Sequence, residues 1–176
     1  MKLIIPPVAV LAVALISLVP SARAEVSPFR VRVEQANKNE IAKLAKTQKR
    51  SLKIFVSNAS KESAELRAKY VFFGRDAKGN DIVKIEEGEK PVSVKGLSTE
   101  MVESAVATST FEEAHSANAS KGKAGPKVEA SGTKMLGYGV QILQGEQVVA
   151  ESYDPPSMKE QWSKAMPATK PPPVKK

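Results

Sequence analysis

A chain of 176 residues with one histidine and no cysteine has no disulfide framework and no thiolate or multi-histidine zinc centre to offer. Its formal charge of +8 and pI near 9.6 invite a nucleic-acid reading. Aromatic residues make up only 5%, and no reading motif or base-stacking platform accompanies the basic residues, so that reading is set aside.

Lys2 precedes an uncharged run from Leu3 to Val19, followed by Pro20 and Ser21-Ala22-Arg23-Ala24. Small residues at Ala22 and Ala24 complete the pattern of a secretory signal, with cleavage expected before Glu25. The run sits at the lower limit for a spanning helix and Pro6 and Pro7 shorten its helical part, so no stable transmembrane span is expected after cleavage. With no cysteine, a bacterial lipid anchor is excluded. Export without disulfides points to a bacterial envelope protein in the periplasm or at the cell surface. Removing residues 1–24 leaves 152, one domain's worth. The charge also divides: residues 25–154 hold 20 basic and 18 acidic side chains, and residues 155–176 hold five Lys and one Glu. Eight basic and two acidic residues fall within 30–53.

Phe29 to Glu34 alternates apolar and polar residues, as a half-buried strand does. Residues 36–49 are equivocal, either a short helix or a polar extension of the flanking strands. Arg50 to Ser57 is the clearest strand, with Leu52, Ile54 and Val56 on one face. Leu66 to Arg75 is apolar on both faces, Tyr70 and Phe72 on one and Val71 and Phe73 on the other, which predicts a central or covered strand. Asp76 to Asp81 reads as a hairpin turn. Ile82 to Glu86 is a short strand, Glu87 to Lys90 a turn, and Pro91 to Val94 an edge piece. Thr99 to Thr110 reads as one strand and Ala114 to Gly132 as an exposed mobile loop. Met135–Leu143 and Val148–Tyr153 form an antiparallel hairpin. After Asp154-Pro155-Pro156, Ser157–Ala165 predicts a short helix with Met158, Trp162 and Met166 in line, then a disordered Pro/Lys tail ending in Lys175 and Lys176.

About seven short strands without βαβ alternation predict an all-β antiparallel sandwich of the immunoglobulin-like kind. The expected organisation is a signal peptide over 1–24, the sandwich over 25–154, and a helix with tail over 155–176. Tyr70-Val71-Phe72-Phe73-Gly74-Arg75-Asp76, Gly137-Tyr138-Gly139-Val140-Gln141 and the closing Asp154-Pro155-Pro156 resemble small exported immunoglobulin-like sandwich proteins of verrucomicrobial-type bacteria, over roughly residues 30–156. Some of those proteins are pilus-associated. The resemblance implies an envelope or pilus-linked role and carries no binding residue with it.

Candidate chemistry is sparse. His115 lacks metal-binding or triad partners. Ser131-Gly132-Thr133-Lys134 matches the S-x-x-K spacing of penicillin-binding enzymes without the companion motifs and outside a helix. Asp76, Asn80 and Asp81 lack the spacing of a calcium loop and suit a turn. Glu86 and Glu87 are adjacent on a strand and face opposite sides. Asn58-Ala59-Ser60 and Asn118-Ala119-Ser120 match the glycosylation sequon and read as Ser-rich turns. Neither a cofactor nor a catalytic group is expected. Phe73, Tyr138, Trp162, Lys175 and Lys176 are the candidate interaction surface, although core packing competes for the aromatics and Trp162 also suits a staple between helix and sandwich. The expected function is a non-enzymatic envelope interaction or structural protein, with a pilus- or surface-associated role as its narrower form, meeting an envelope or pilus protein, an anionic surface or a glycan. The alternative is a carbohydrate-binding module that stacks sugar on Phe73 or Tyr138.

Overall fold

The computed structural model describes residues 27–79, 81–116 and 125–165. The signal segment with Ala22, Ala24 and Glu25, the residue Asn80, the second sequon at Asn118, Met166, and the tail with Lys175 and Lys176 lie outside the described residues.

The strands are β1 (Phe29–Ala42), β2 (Ala45–Asn58), β3 (Ala64–Asp76), β4 (Ile82–Val94), β5 (Ser98–Glu103), β6 (Ala107–Glu112), β7 (His115–Ser116), β8 (Lys127–Val128), β9 (Ser131–Gln144) and β10 (Gln147–Asp154), followed by one helix, α1 (Met158–Ala165). All pairings are antiparallel. One layer is β1-β2 with β5 and β6 sharing the far side of β2: β6 pairs residues 45–50 and β5 pairs residues 53–58. The other layer is β10-β9-β3-β4. The start of β9 crosses over to pair with β6 and ties the layers together. Counting β5 and β6 as one interrupted edge, this is the expected sandwich of about seven strands, in immunoglobulin-like order.

The period-two pattern decides what lies between the layers. Leu52, Ile54 and Val56 of β2 face Leu66, Ala68, Tyr70 and Phe72 of β3 and Val140 and Ile142 of β9 in one buried cluster. Each fully buried aliphatic side chain here contributes about 1.5–3 kcal/mol. The Tyr70 hydroxyl accepts a hydrogen bond from the Ala105 backbone N–H at 2.9 Å, in the gap between β5 and β6. Asn58, only 2% exposed, donates to Glu62 O at 2.7 Å and accepts from Ser60 N at 2.9 Å. Its sequon therefore encodes a structural plug for the β2–β3 turn.

The opposite face of β3 is covered as well. Val71 and Phe73 pack under Met158 and Trp162 of α1, with Tyr153 and Ile82 at the margin. Met158 and Trp162 stand four residues apart, on one helical face. Trp162 meets Tyr153 edge-on at 6.0 Å, and an ion pair between Lys159 and Glu151 holds the helix to β10. Gly139 lies beneath: a Cβ there would sit 2.6 Å from Trp162 Cε3 and 2.9 Å from the Tyr153 ring. Alternation thus explains Gly137-Tyr138-Gly139, with Tyr138 turned into the core and Gly139 cleared for the helix.

Burial pushes the Tyr153 phenol up to about 12, and the neighbouring Glu151 carboxylate adds to this against the lowering effect of the Gln141 hydrogen bond. The folded state therefore keeps this proton between about pH 10 and 12 while the unfolded chain loses it, so stability falls as pH rises through that window. In the native protein the Tyr153 phenolate is expected to form later in a pH titration than in the unfolded chain, and Tyr138, also pushed up by burial, adds to the lag. Tyr153→Phe should leave the native titration amplitude below pH 11 unchanged; a reduced amplitude there would contradict the shift.

Of the two alternatives for residues 36–49, the structure takes the strand extension: they continue β1 and β2, paired without interruption to Ala42↔Ala45. Three expectations require correction. Glu87 to Lys90 is not a turn: β4 runs straight through it, paired with β3 along its length. Gly88 is there because it faces the Tyr70 ring, and Pro91 is tolerated because β4 is an edge. Thr99 to Thr110 is two strands, separated where Tyr70 takes the Ala105 N–H. The segment Ala114–Gly132 contains the two-residue pair β7–β8 and the start of β9; residues 117–124 within it are outside the described residues.

Candidate interaction site

The apolar inner face of β1 and β2 stops at Val33 and Leu52. Beyond it the inward positions become Gln35, Asn37, Asn39 and Ile41 on β1 and Arg50, Gln48 and Lys46 on β2, matched in register. These polar residues cannot be roofed by an apolar layer without partners for every group, and the opposing layer ends here. The result is an arm: a hairpin that continues past the core, closed by the two-residue loop Lys43-Leu44 with Lys43 at φ 57°, a positive value as in the primed hairpin turns. Residues 36–44 are all exposed.

At its root the arm is held by polar groups. Gln48 Oε1 accepts the Met135 backbone N–H at 3.1 Å. Burial pulls the Arg50 guanidinium below its usual value, opposed by the Asp154 carboxylate. Gln35 Nε2, Arg50 Nε and the Oγ of Ser109 are buried without a hydrogen-bond partner among the described residues.

Toward the tip, charges alternate in sign. Glu40 is shared by Lys38 at 3.2 Å and Lys49 at 3.3 Å, and Lys46 meets Glu113 at 2.9 Å. The hydrogen bond from Lys38, then that from Lys49, holds the Glu40 carboxyl below its ordinary range, and Lys46 does the same for Glu113. These contacts are fully solvated and screened by salt. Residues 36–50 still carry five basic side chains against one acidic. An open groove on the arm's inner side is lined by Asn39, Ile41, Lys46, Gln48, Phe111 and Lys134. Ile41 is 71% exposed and Leu44 52%.

The residues singled out from sequence fall elsewhere. Phe73, Tyr138 and Trp162 are 1%, 6% and 5% exposed, so they pack the fold and offer no area to a ligand. His115 lies 3.6 Å from Glu112 and its Nδ1 is 3.1 Å from Glu113 O. Lys134 lies over the Phe111 ring at 6.0 Å rather than serving Ser131. Asp76 accepts the Lys78 N–H at 2.8 Å, which is a turn contact. No cluster of three or more His, Asp or Glu side chains able to hold a metal occurs among the described residues, and no described helix is long and apolar enough to cross a membrane. The exposed Ile41 and Leu44 and the groove residue Phe111 escaped sequence reasoning. Their signal was the equal length of polar chain on either side of Lys43-Leu44.

No protein-family model matches the chain, and no curated protein matches it in sequence. Among solved structures, a beta-glucuronidase of Bacteroides uniformis is similar at 11% identity and a TM-score of 0.42, over 73% of this chain and 14% of that one. A beta-glucosidase of Kluyveromyces marxianus shows 10% identity and a TM-score of 0.34, over 72% and 13%. A protein from Akkermansia muciniphila shows 14% identity and a TM-score of 0.34, over 80% and 78%. The chain spans between 12% and 17% of the length of these glycosidases and of two others, a beta-galactosidase and a beta-glucuronidase.

Proposed function

We propose that this chain is a non-enzymatic, exported interaction or structural protein of the cell envelope, and that the β1–β2 arm is its docking element. A pilus- or surface-associated role is the narrower form of that reading. The observation that supports it is the arm itself. A hairpin that buries nothing of its own from residue 36 to residue 44, yet carries Ile41 and Leu44 exposed among Lys38, Lys43 and Lys46, is costly to keep unless something covers it. A strand edge offers backbone pairing, and the side chains set who can use it. The export signal supplies the address.

A photo-crosslinking residue at Ile41 tests this in intact cells. Adducts with envelope components are expected there and not from Val148, an exposed apolar position on β10. Equal labelling at the two positions would count against the arm. A second reading rests on the groove: a glycan would stack on Phe111 between Asn39 and Gln48, the aromatic-plus-amide lining that sugars favour, and Phe111→Ala would abolish its binding without unfolding the protein.

A further inference from the structure

Strand β1 ends its layer, and among the described residues no strand pairs with its outer edge. At 14 residues β1 is long for an edge strand, and part of it runs beside β10 of the other layer. Native proteins blunt such edges with charge, and β1 carries Arg30, Arg32, Glu34, Lys38 and Glu40 on its solvent face. Charge of one sign would repel every copy. Here both signs occur, and their order is informative.

Laid antiparallel against itself with Ala36 at the centre, the strand sets Arg32 opposite Glu40 and Glu34 opposite Lys38. The two-fold axis repeats each pair, giving four opposite-sign contacts and no like-sign one. Other centres fail. Centring on Gln35 sets Arg32 against Lys38, and centring on Asn37 sets Glu34 against Glu40. Centring on Glu34 or Lys38 sets that residue against itself. A slip by one residue turns the apolar face outward.

The inner face supports the same register independently. Gln35 falls opposite Asn37 of the second copy, and Gln35 Nε2 is one of the buried donors left without a partner. Directly opposed side chains stand about 4.5–5.5 Å apart at Cβ, within reach of an amide pair. Ile41 falls opposite Val31, which is packed at the margin of the core together with Val149 of β10; β10 runs close to β1 on this side of the sandwich.

We propose that the outer edge of β1 docks a second copy of this chain, so that two sandwiches share one continuous sheet across a two-fold axis at Ala36. The proposal rests on the arm being the docking element and gives that element its first occupant. Roughly a dozen backbone hydrogen bonds would form along the shared edge. Each arm would lie beside the β1–β10 side of the other copy and cover its own exposed Ile41.

The chain has no cysteine, so single cysteines report the register in the purified full-length protein. The axial replacement Ala36→Cys should give a disulfide-linked dimer on mild oxidation. Glu34→Cys and Lys38→Cys should not cross-link alone and should do so when mixed. Arg32→Glu and Glu40→Arg should each weaken self-association about tenfold or more in sedimentation, because each places two like-charge pairs at the edge, and an equimolar mixture should restore it. Cross-linking at Ala36→Cys no faster than at Arg30→Cys, or a mixture that associates no better than its components, would overturn the proposal. Envelope adducts from Ile41 in a chain that stays monomeric at roughly 1 mM, the weak limit of specific association, would sink the dimer and leave the docking arm standing. A dimer in this register without such adducts would leave the self-association standing and sink the envelope-partner reading.

Discussion

Trp162→Ala should lower the stability of the protein by about 3–5 kcal/mol, the range for truncating a buried large aromatic side chain. The indole roofs Val71 and Phe73, the outward side chains of the strand at the centre of its layer. Its loss removes the main contact of α1, a helix of eight residues that is too short to persist alone in water. The face of β3 would then meet solvent, and Gly139 would lie bare. Denaturant unfolding followed by circular dichroism measures the loss. Trp162→Phe should retain most of the stability, since it keeps an apolar plate over Phe73. Because Trp162 is the only tryptophan, the wild-type emission should be blue-shifted in the native state. An unchanged unfolding midpoint for Trp162→Ala would show that the helix contributes nothing to the fold.

Gly88→Ala is the second large effect, at about 3 kcal/mol, at the upper end of overpacking costs. Gly88 faces Tyr70 across the β3–β4 ladder. A Cβ there would lie 2.3 Å from the phenol oxygen and 2.5 Å from Cζ. The ring cannot swing away, because Tyr70 is 2% exposed and its hydroxyl holds the Ala105 N–H. Moving it would leave that donor without its partner, at about 1–3 kcal/mol if water cannot replace it. Tyr70→Phe removes the nearest clashing atom and should cost about 1 kcal/mol by itself. In combination the two substitutions should be less than additive, with a coupling of about 0.5–3 kcal/mol. Strict additivity in chemical denaturation would show that the phenol is not what resists the methyl group.

These two sites also show what was legible in the sequence. The two-sided apolar pattern of Leu66 to Arg75 announced a covered central strand, and Met158 with Trp162 at helical spacing announced what covers one of its faces. Both are local patterns whose meaning survives folding. Gly88 and Pro91 have the look of chain breaks in sequence, yet both lie inside the continuous strand β4. Gly88 answers to a ring eighteen positions earlier in the chain, and Pro91 to the absence of a neighbour on one side. The interruption between β5 and β6 depends on the Tyr70 hydroxyl, a contact no window along the chain contains. The arm was equivocal for a different reason. Binary patterning reports burial, and an uncovered sheet has no buried face to report. Ile41 and Leu44, three apart in the sequence, suit a helix turn as well as the tip of a hairpin.

The unbroken β1–β2 ladder has a mechanical consequence. It runs through the covered core and the bare arm without a joint, so force applied at Lys43-Leu44 along the strand axis would load the β2–β5 and β2–β6 hydrogen bonds in shear, many at once. Force applied sideways would open the ladder pair by pair, like a zipper, each step needing little. The molecule should therefore be stiff to tension along the arm and compliant across it, an anisotropy that single-molecule pulling from position 43 or 44 in the two directions would read as unequal rupture forces.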